Sequence, residues 1–143
     1  MGLETVEVSL RVWTGTADTV PDDSFLNRLS YDIGKDVEGV DSSDSPWKTA
    51  RVILASVEMK DLQDAEEPTE AFSQMLNEKL IRSATWLQQQ DPVVLQSLRE
   101  SGHKTDIYIG GWLDDDQLDL NLPAEFIAAC ARHQLPITLI TND

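Results

Sequence analysis

Two histidines and a single cysteine leave this chain with little metal-ligating or nucleophilic chemistry. Cys130 has no second cysteine to pair with, so no intrachain disulfide forms, and no Cys or His pair stands at zinc-ligand spacing. Bases are scarce too: 11 Lys and Arg face 26 Asp and Glu, a formal net charge of −15. Such a surface repels nucleic acid and anionic lipid, both of which need cations to neutralise phosphate. No nucleic acid and no membrane is therefore expected as partner, whereas a basic protein is charge-matched. No window reaches the ~18 unbroken apolar residues of a membrane helix. The opening "MGLETVEVSL" has neither the basic region nor the apolar stretch of a secretory signal. The nucleophile elbow G-x-S-x-G, the phosphate-binding P-loop and the dinucleotide glycine fingerprint are all missing. These absences predict a soluble, cytoplasmic, acidic protein with no cofactor, no metal and no catalytic residue.

What is present suits one folded domain over residues 1–143, with 41% hydrophobic and 26% charged residues. In "TVEVSLRVW", Val6, Val8, Leu10 and Val12 alternate with Glu7, Ser9, Arg11 and Trp13, the period of a strand with one buried face. "DSFLNRLSYDI" reads as a short helix through Phe25, Leu26 and Leu29, capped by Asp22 or Asp23. "GKDVEGVDSSDSP" reads as a mobile acidic loop, and "RVILASV" as a strand covered on both faces, or nearly so. After the acidic connector "EMKDLQDAEEP", Thr69 caps a helix carrying Phe72, Met75, Leu76, Leu80, Ala84 and Leu87 inward.

"DPVVLQSLRESG" gives a third helix with Asp91 as cap, Pro92 at its first position, Val94, Leu95 and Leu98 inward, and Gly102 as stop. "TDIYIGGW" and "QLDLNL" then read as a hairpin with "LDDD" at its tip. "PAEFIAACARHQL" is a helix opened by Pro123 with Phe126, Ile127 and Cys130 inward, and "PITLIT" is a closing strand. The order predicts a single two-layer α+β domain: a largely antiparallel sheet with helices packed on one face.

The segments "WKTARVILAS", "WLQQQDPVVLQSLRESGHKTDIYIGGW" and "LDLNLPAEFIAACARHQLPITLI" resemble the bacterial domain of unknown function 4279 family over the C-terminal two-thirds of the chain. The likeness lies in apolar spacing and in an acid- or proline-led helix ahead of the last strand. Before Trp47 this chain carries acids where such proteins often have a basic, glycine-containing segment. The resemblance implies a small bacterial domain; the family is uncharacterised and lends no catalytic residue.

"GGWLDDDQLDLN" is the most chemical-looking stretch, yet its carboxylates do not form a calcium loop. Asp114 and Asp116 alternate, but no turn glycine follows and no distal Glu completes a set. An acidic hairpin tip that discourages edge pairing accounts for Asp114, Asp115 and Asp116, with Asp119 turned to solvent. His103 and His133 read as surface residues, His133 favourably placed in a helix's last turn. Cys130 reads as a small buried hydrophobe, and Trp47 and Trp86 as packing residues.

The aromatics carry the binding expectation. Helices cover one side of a two-layer domain, so strand parity leaves Arg11, Trp13, Tyr108, Gly110 and Trp112 on the other, with Gly110 and Gly111 opening a shallow gap. A loop or the second copy in a homodimer is the alternative cover for these rings. Two functions follow: a non-catalytic binding module meeting a basic protein, as immunity proteins do; or a small-ligand sensor or enzyme using the face around Trp13 and Trp112.

Overall fold

The structure, a computed structural model, describes residues 3–14, 24–42, 49–113 and 119–142. Asp22, Asp23, Trp47 and the acidic tip Asp114, Asp115, Asp116 lie outside the described residues, as does Gln117. The strands are β1 (Leu3–Thr14), β2 (Gly39–Ser42), β3 (Ala50–Glu58), β4 (His103–Leu113) and β5 (Ile137–Thr141). The helices are α1 (Ser24–Arg28), α2 (Pro68–Gln89), α3 (Pro92–Glu100) and α4 (Ala124–Arg132), with a 3₁₀ turn at Met59–Leu62. The sheet runs β2-β3-β1-β4-β5, antiparallel throughout except for the β4–β5 pair. It is a single α+β domain of the expected class, with the helices on one face of a mostly antiparallel sheet.

β1 lies at the centre of the sheet. Val6, Val8, Leu10 and Val12 are buried with Ile107 and Ile109 of β4 and Val52 of β3. β3 does not have both faces covered, as its apolar run led one to expect. Arg51, Ile53, Ser56 and Glu58 are half-exposed, while Leu54 and Ala55 are buried in succession. The cause is a bulge opposite Val8 and Ser9 of β1, which inserts Leu54 and shifts the alternation by one residue.

A bulge takes a carbonyl out of the ladder, and α2 satisfies it. The Leu54 carbonyl accepts from Ser83 Oγ at 3.1 Å and Arg82 Nη2 at 2.9 Å, and the Ser56 carbonyl from Lys79 Nζ at 2.8 Å. Those bonds dock α2 over the sheet with Phe72, Leu76, Leu80, Ala84 and Leu87 beneath it. At its C-terminal end Trp86 Nε1 and Gln90 Nε2 both donate to the Ser30 carbonyl, at 2.7 and 2.8 Å, and Ser30 N donates to Gln90 Oε1 at 2.9 Å. The segment after α1 is thereby pinned to α2.

Several local expectations need correction. α2 starts at Pro68, with Glu67 rather than Thr69 in the cap position, and Met75 is exposed. Ile127 of α4 is exposed as well. The presumed loop at 34–46 contains β2, whose four residues are too few to show a period. No hairpin forms among the described residues, since 119–122 are not a strand. Both edges of β4 are already taken, by β1 and β5, so no third strand can pair with it. Leu120 and Leu122 pack on the core from irregular chain leading into α4. α3 does form as read: Asp91 accepts from Val93 N at 3.0 Å, and Gly102 ends the turn at φ +93°.

Neither histidine is a surface residue. His103 is buried on the helix-covered face of β4. His133 is 1% exposed, and Leu87's carbonyl stands 2.6 Å from its Nε2, so the neutral ring donates from that nitrogen. Burial lowers the His133 pKa; the bond to Leu87 acts against this, Arg132 and Arg99 act with it, and Asp91 opposes. With the folded value below the unfolded one, the neutral ring stabilises the fold above the unfolded pKa. That stability is lost as pH falls through the range between the two. Urea unfolding from pH 7.5 down to pH 5 is therefore expected to lose more stability in the native chain than in His133→Gln, by no more than about 1.4 kcal/mol per pH unit.

Candidate functional site

Parity places Thr5, Glu7, Ser9, Arg11 and Trp13 of β1 on the side of the sheet away from the helices. The antiparallel register sets Trp112, Gly110, Tyr108, Asp106 and Lys104 of β4 against them in that order. All five residues read from the sequence as a binding face, Arg11, Trp13, Tyr108, Gly110 and Trp112, thus share this side. They do not form one cluster. Trp112 is paired with Thr5 and Trp13 with Lys104. Thr5 to Trp13 along β1 is roughly 26 Å at ~3.3 Å per residue, so the two indoles sit at opposite ends.

At one end Arg11 lies between two rings, its guanidinium carbon 4.3 Å from the Trp13 centroid and 4.5 Å from that of Tyr108. The same group forks onto Asp106, Nε to Oδ1 at 3.0 Å and Nη2 to Oδ2 at 2.7 Å. Asp106 is 2% exposed and also accepts from Thr138 Oγ1 at 2.8 Å. Arg11 is thus committed within the fold: it neutralises a buried carboxylate and is flanked by aromatic faces. Tyr108 leans over Gly110, where an added Cβ would stand 3.1 Å from Tyr108 Cε1. The gap expected above the two glycines is therefore partly filled by this ring. Beneath the face, the Ser9 hydroxyl is fully buried without a hydrogen-bond partner, between Ile53 and Tyr108 in the register.

At the other end a concavity of about 450 Å³ is lined by Thr5, Glu7, Ser56, Glu58, Gly110 and Trp112, with Tyr108 as its inner wall. Trp112 is 52% exposed beside it, so no described loop covers this ring. Glu7 and Glu58 each hold one cation, Arg51 Nη1 at 2.9 Å and Lys60 Nζ at 3.1 Å. Arg51 also binds Asp41 at 2.6 Å, so this guanidinium is shared by two carboxylates and the local balance stays acidic. Among the described residues a further run of acids, Asp61, Asp64, Glu66, Glu67 and Glu70, lies between the end of β3 and the first turn of α2.

Asp119 and Asn121 do not join the bare side; with Glu70 and Asn77 of α2 they line a separate depression on the helical side. Among the described residues, no group of three or more His, Cys, Asp or Glu could hold a metal ion. Cys130 is buried, and desolvation pushes its thiol up to about 12, which leaves it a packing residue. The sequence reading missed Asp106, Glu58 and Ser56. Parity from Tyr108 would have placed Asp106, whereas Ser56 and Glu58 needed the cross-strand register.

The fold and this face define an α+β domain with one sheet surface that no described helix covers, carrying an aromatic and carboxylate-lined hollow. No family model matches the chain, and neither does any curated protein or solved structure.

Removing one member of the buried pair tests its structural role. Arg11→Met leaves Asp106 charged and unpaired and is expected to cost about 2–4 kcal/mol in urea unfolding, toward the low side of buried pairs because Arg11 is 24% exposed. The double variant Arg11→Met/Asp106→Leu should recover most of that loss. Simple additivity of the two single changes would mean that the pair is not coupled.

Proposed function

We propose that this chain is a non-catalytic binding module that docks a basic segment of a protein partner on its bare sheet face. The observation that carries the reading is the hollow between Trp112, Glu7 and Glu58, with its indole exposed and its carboxylates half-exposed. A Lys or Arg side chain suits that lining, since an aromatic face and two carboxylates favour a cation. The remaining acids act at longer range. At −15 the molecule attracts basic partners before contact, and the face then supplies the specific contacts. Membership of the domain of unknown function 4279 family belongs to this proposal as well; it rests on apolar spacing alone and assigns no residue a role. A small-ligand sensor or enzyme at the same hollow is the second reading, favoured by its volume of about 450 Å³. The hollow's open, shallow form on a sheet surface favours a macromolecular partner over an enclosed small molecule.

Titration of a panel of Arg- and Lys-rich peptides, followed by tryptophan fluorescence, tests the assignment. Binding is expected to weaken at least about tenfold between roughly 0.05 and 0.3 M salt, and by a similar factor in Trp112→Ala. Salt-independent binding, or full affinity in Trp112→Ala, would reject this face. A metabolite that raises the melting temperature of the native chain but not of Trp112→Ala would favour the sensor reading.

A further inference from the structure

The sheet has two unequal edges. β2 is four residues long, and its Asp41 is an exposed charge bound to Arg51, a combination that discourages pairing with another chain. β5, "ITLIT", carries no charge in a chain of 26 acids and 11 bases. Its Ile137, Leu139 and Ile140 are exposed, Leu139 at 42%, and no described strand lies beyond it.

The free edge follows from the parallel ladder. Pro136 O accepts from Ile107 N, and Asn142 N donates to Gly111 O, so the alternation turns Thr138 and Ile140 toward β4. The backbone N–H and C=O groups of Ile137, Leu139 and Thr141 therefore point outward.

We infer that β5 pairs antiparallel with β5 of a second copy, about a two-fold axis at Leu139. In that register Leu139 meets its own counterpart, Ile137 meets Thr141, and Thr141 meets Ile137. All three outward-pointing residues then form hydrogen-bonded pairs, which satisfies every outward donor and acceptor of both strands. Side chains match on both surfaces: Leu139 lies beside Leu139 on the helical side, and Ile140 beside Thr138 on the bare side. Pro136 flanks the pair where no N–H is required. A second copy is the occupant that this strand fits because the register is self-complementary and brings no carboxylate against another within the paired strands. The result is a continuous ten-stranded sheet with two bare faces side by side. This inference does not depend on what those faces bind.

Sedimentation equilibrium of the full chain tests it, together with Leu139→Lys, which places two cations on the axis, and Thr141→Pro, which removes an outward N–H and no ladder bond to β4. The native chain is expected at twice its mass of 16.0 kDa, more firmly so at about 0.3 M salt, because screening reduces repulsion between two acidic chains. Both variants are expected to be monomeric with native circular dichroism, and the amides of Leu139 and Thr141 to be protected from exchange only in the native dimer. A native chain that stays monomeric at high salt overturns the inference, as does a dimer that survives both substitutions. Binding of a basic partner has the opposite salt dependence, so failure of either idea is separable from the other.

Discussion

Alternate residues of β1 turn to opposite sides of the sheet, and the layers of the domain follow from that one constraint. Val6, Val8, Leu10 and Val12 need cover, and the helices supply it on their side. The same strand cannot then bury Glu7, Arg11 and Trp13 under a second helical layer, because the chain has no further helices to place there among its described residues. The uncovered side must be stable without a hydrophobic core. It is held instead by crossed polar ties: Arg11 on Asp106, Thr138 on Asp106, and Arg51 on Glu7 and Asp41. These ties link β1 to β4, β4 to β5, and β1 and β2 to β3, so the polar face is fastened across every strand of the sheet.

The helical side shows the complementary device. The β3 bulge at Leu54 removes one carbonyl from the ladder and offers it to Ser83 and Arg82 of α2. A defect in one element becomes the docking point of another, which fixes where α2 lies and which residues form the floor of the core. Lys79 and Arg82 are engaged with β3 carbonyls and with Glu38. Five of the ten described bases, Arg11, Arg51, Lys60, Lys79 and Arg82, thus sit in carboxylate ion pairs, which leaves the acidic character of the surface to residues elsewhere.

The two ends of the bare face differ in what they can do. At the Arg11 end both rings and the carboxylate are already in contact with the guanidinium. A ligand in the concavity of about 460 Å³ lined there by Arg11, Asp41, Ser42, Thr49, Arg51 and Tyr108 therefore meets an arginine whose charge is engaged. The Trp112 end is open, with an indole exposed above a hollow whose carboxylates have capacity for further contact. The distinction rests on which aromatic has an arginine two residues or one strand away.

Much of the fold was legible because it depends on short-range periodicity. The alternation of β1, the stripe of α2 and the Asp91-Pro92 start of α3 are written in consecutive residues, and so is the sidedness that puts Arg11, Trp13, Tyr108, Gly110 and Trp112 together. Net charge and the scarcity of ligating residues were equally readable. Tertiary structure alone decided which strands meet. A run such as "QLDLNL" has strand alternation, yet β4 has only two edges, and β1 and β5 occupy both. Burial of His103 and His133, the bulge that staggers β3, and the hollow formed by Glu7, Glu58 and Trp112 all depend on register between segments far apart in the chain. Alternation tells a residue which side it faces; it holds no information about its neighbour across the ladder, because that pairing is chosen by competition among all strands for a limited number of edges.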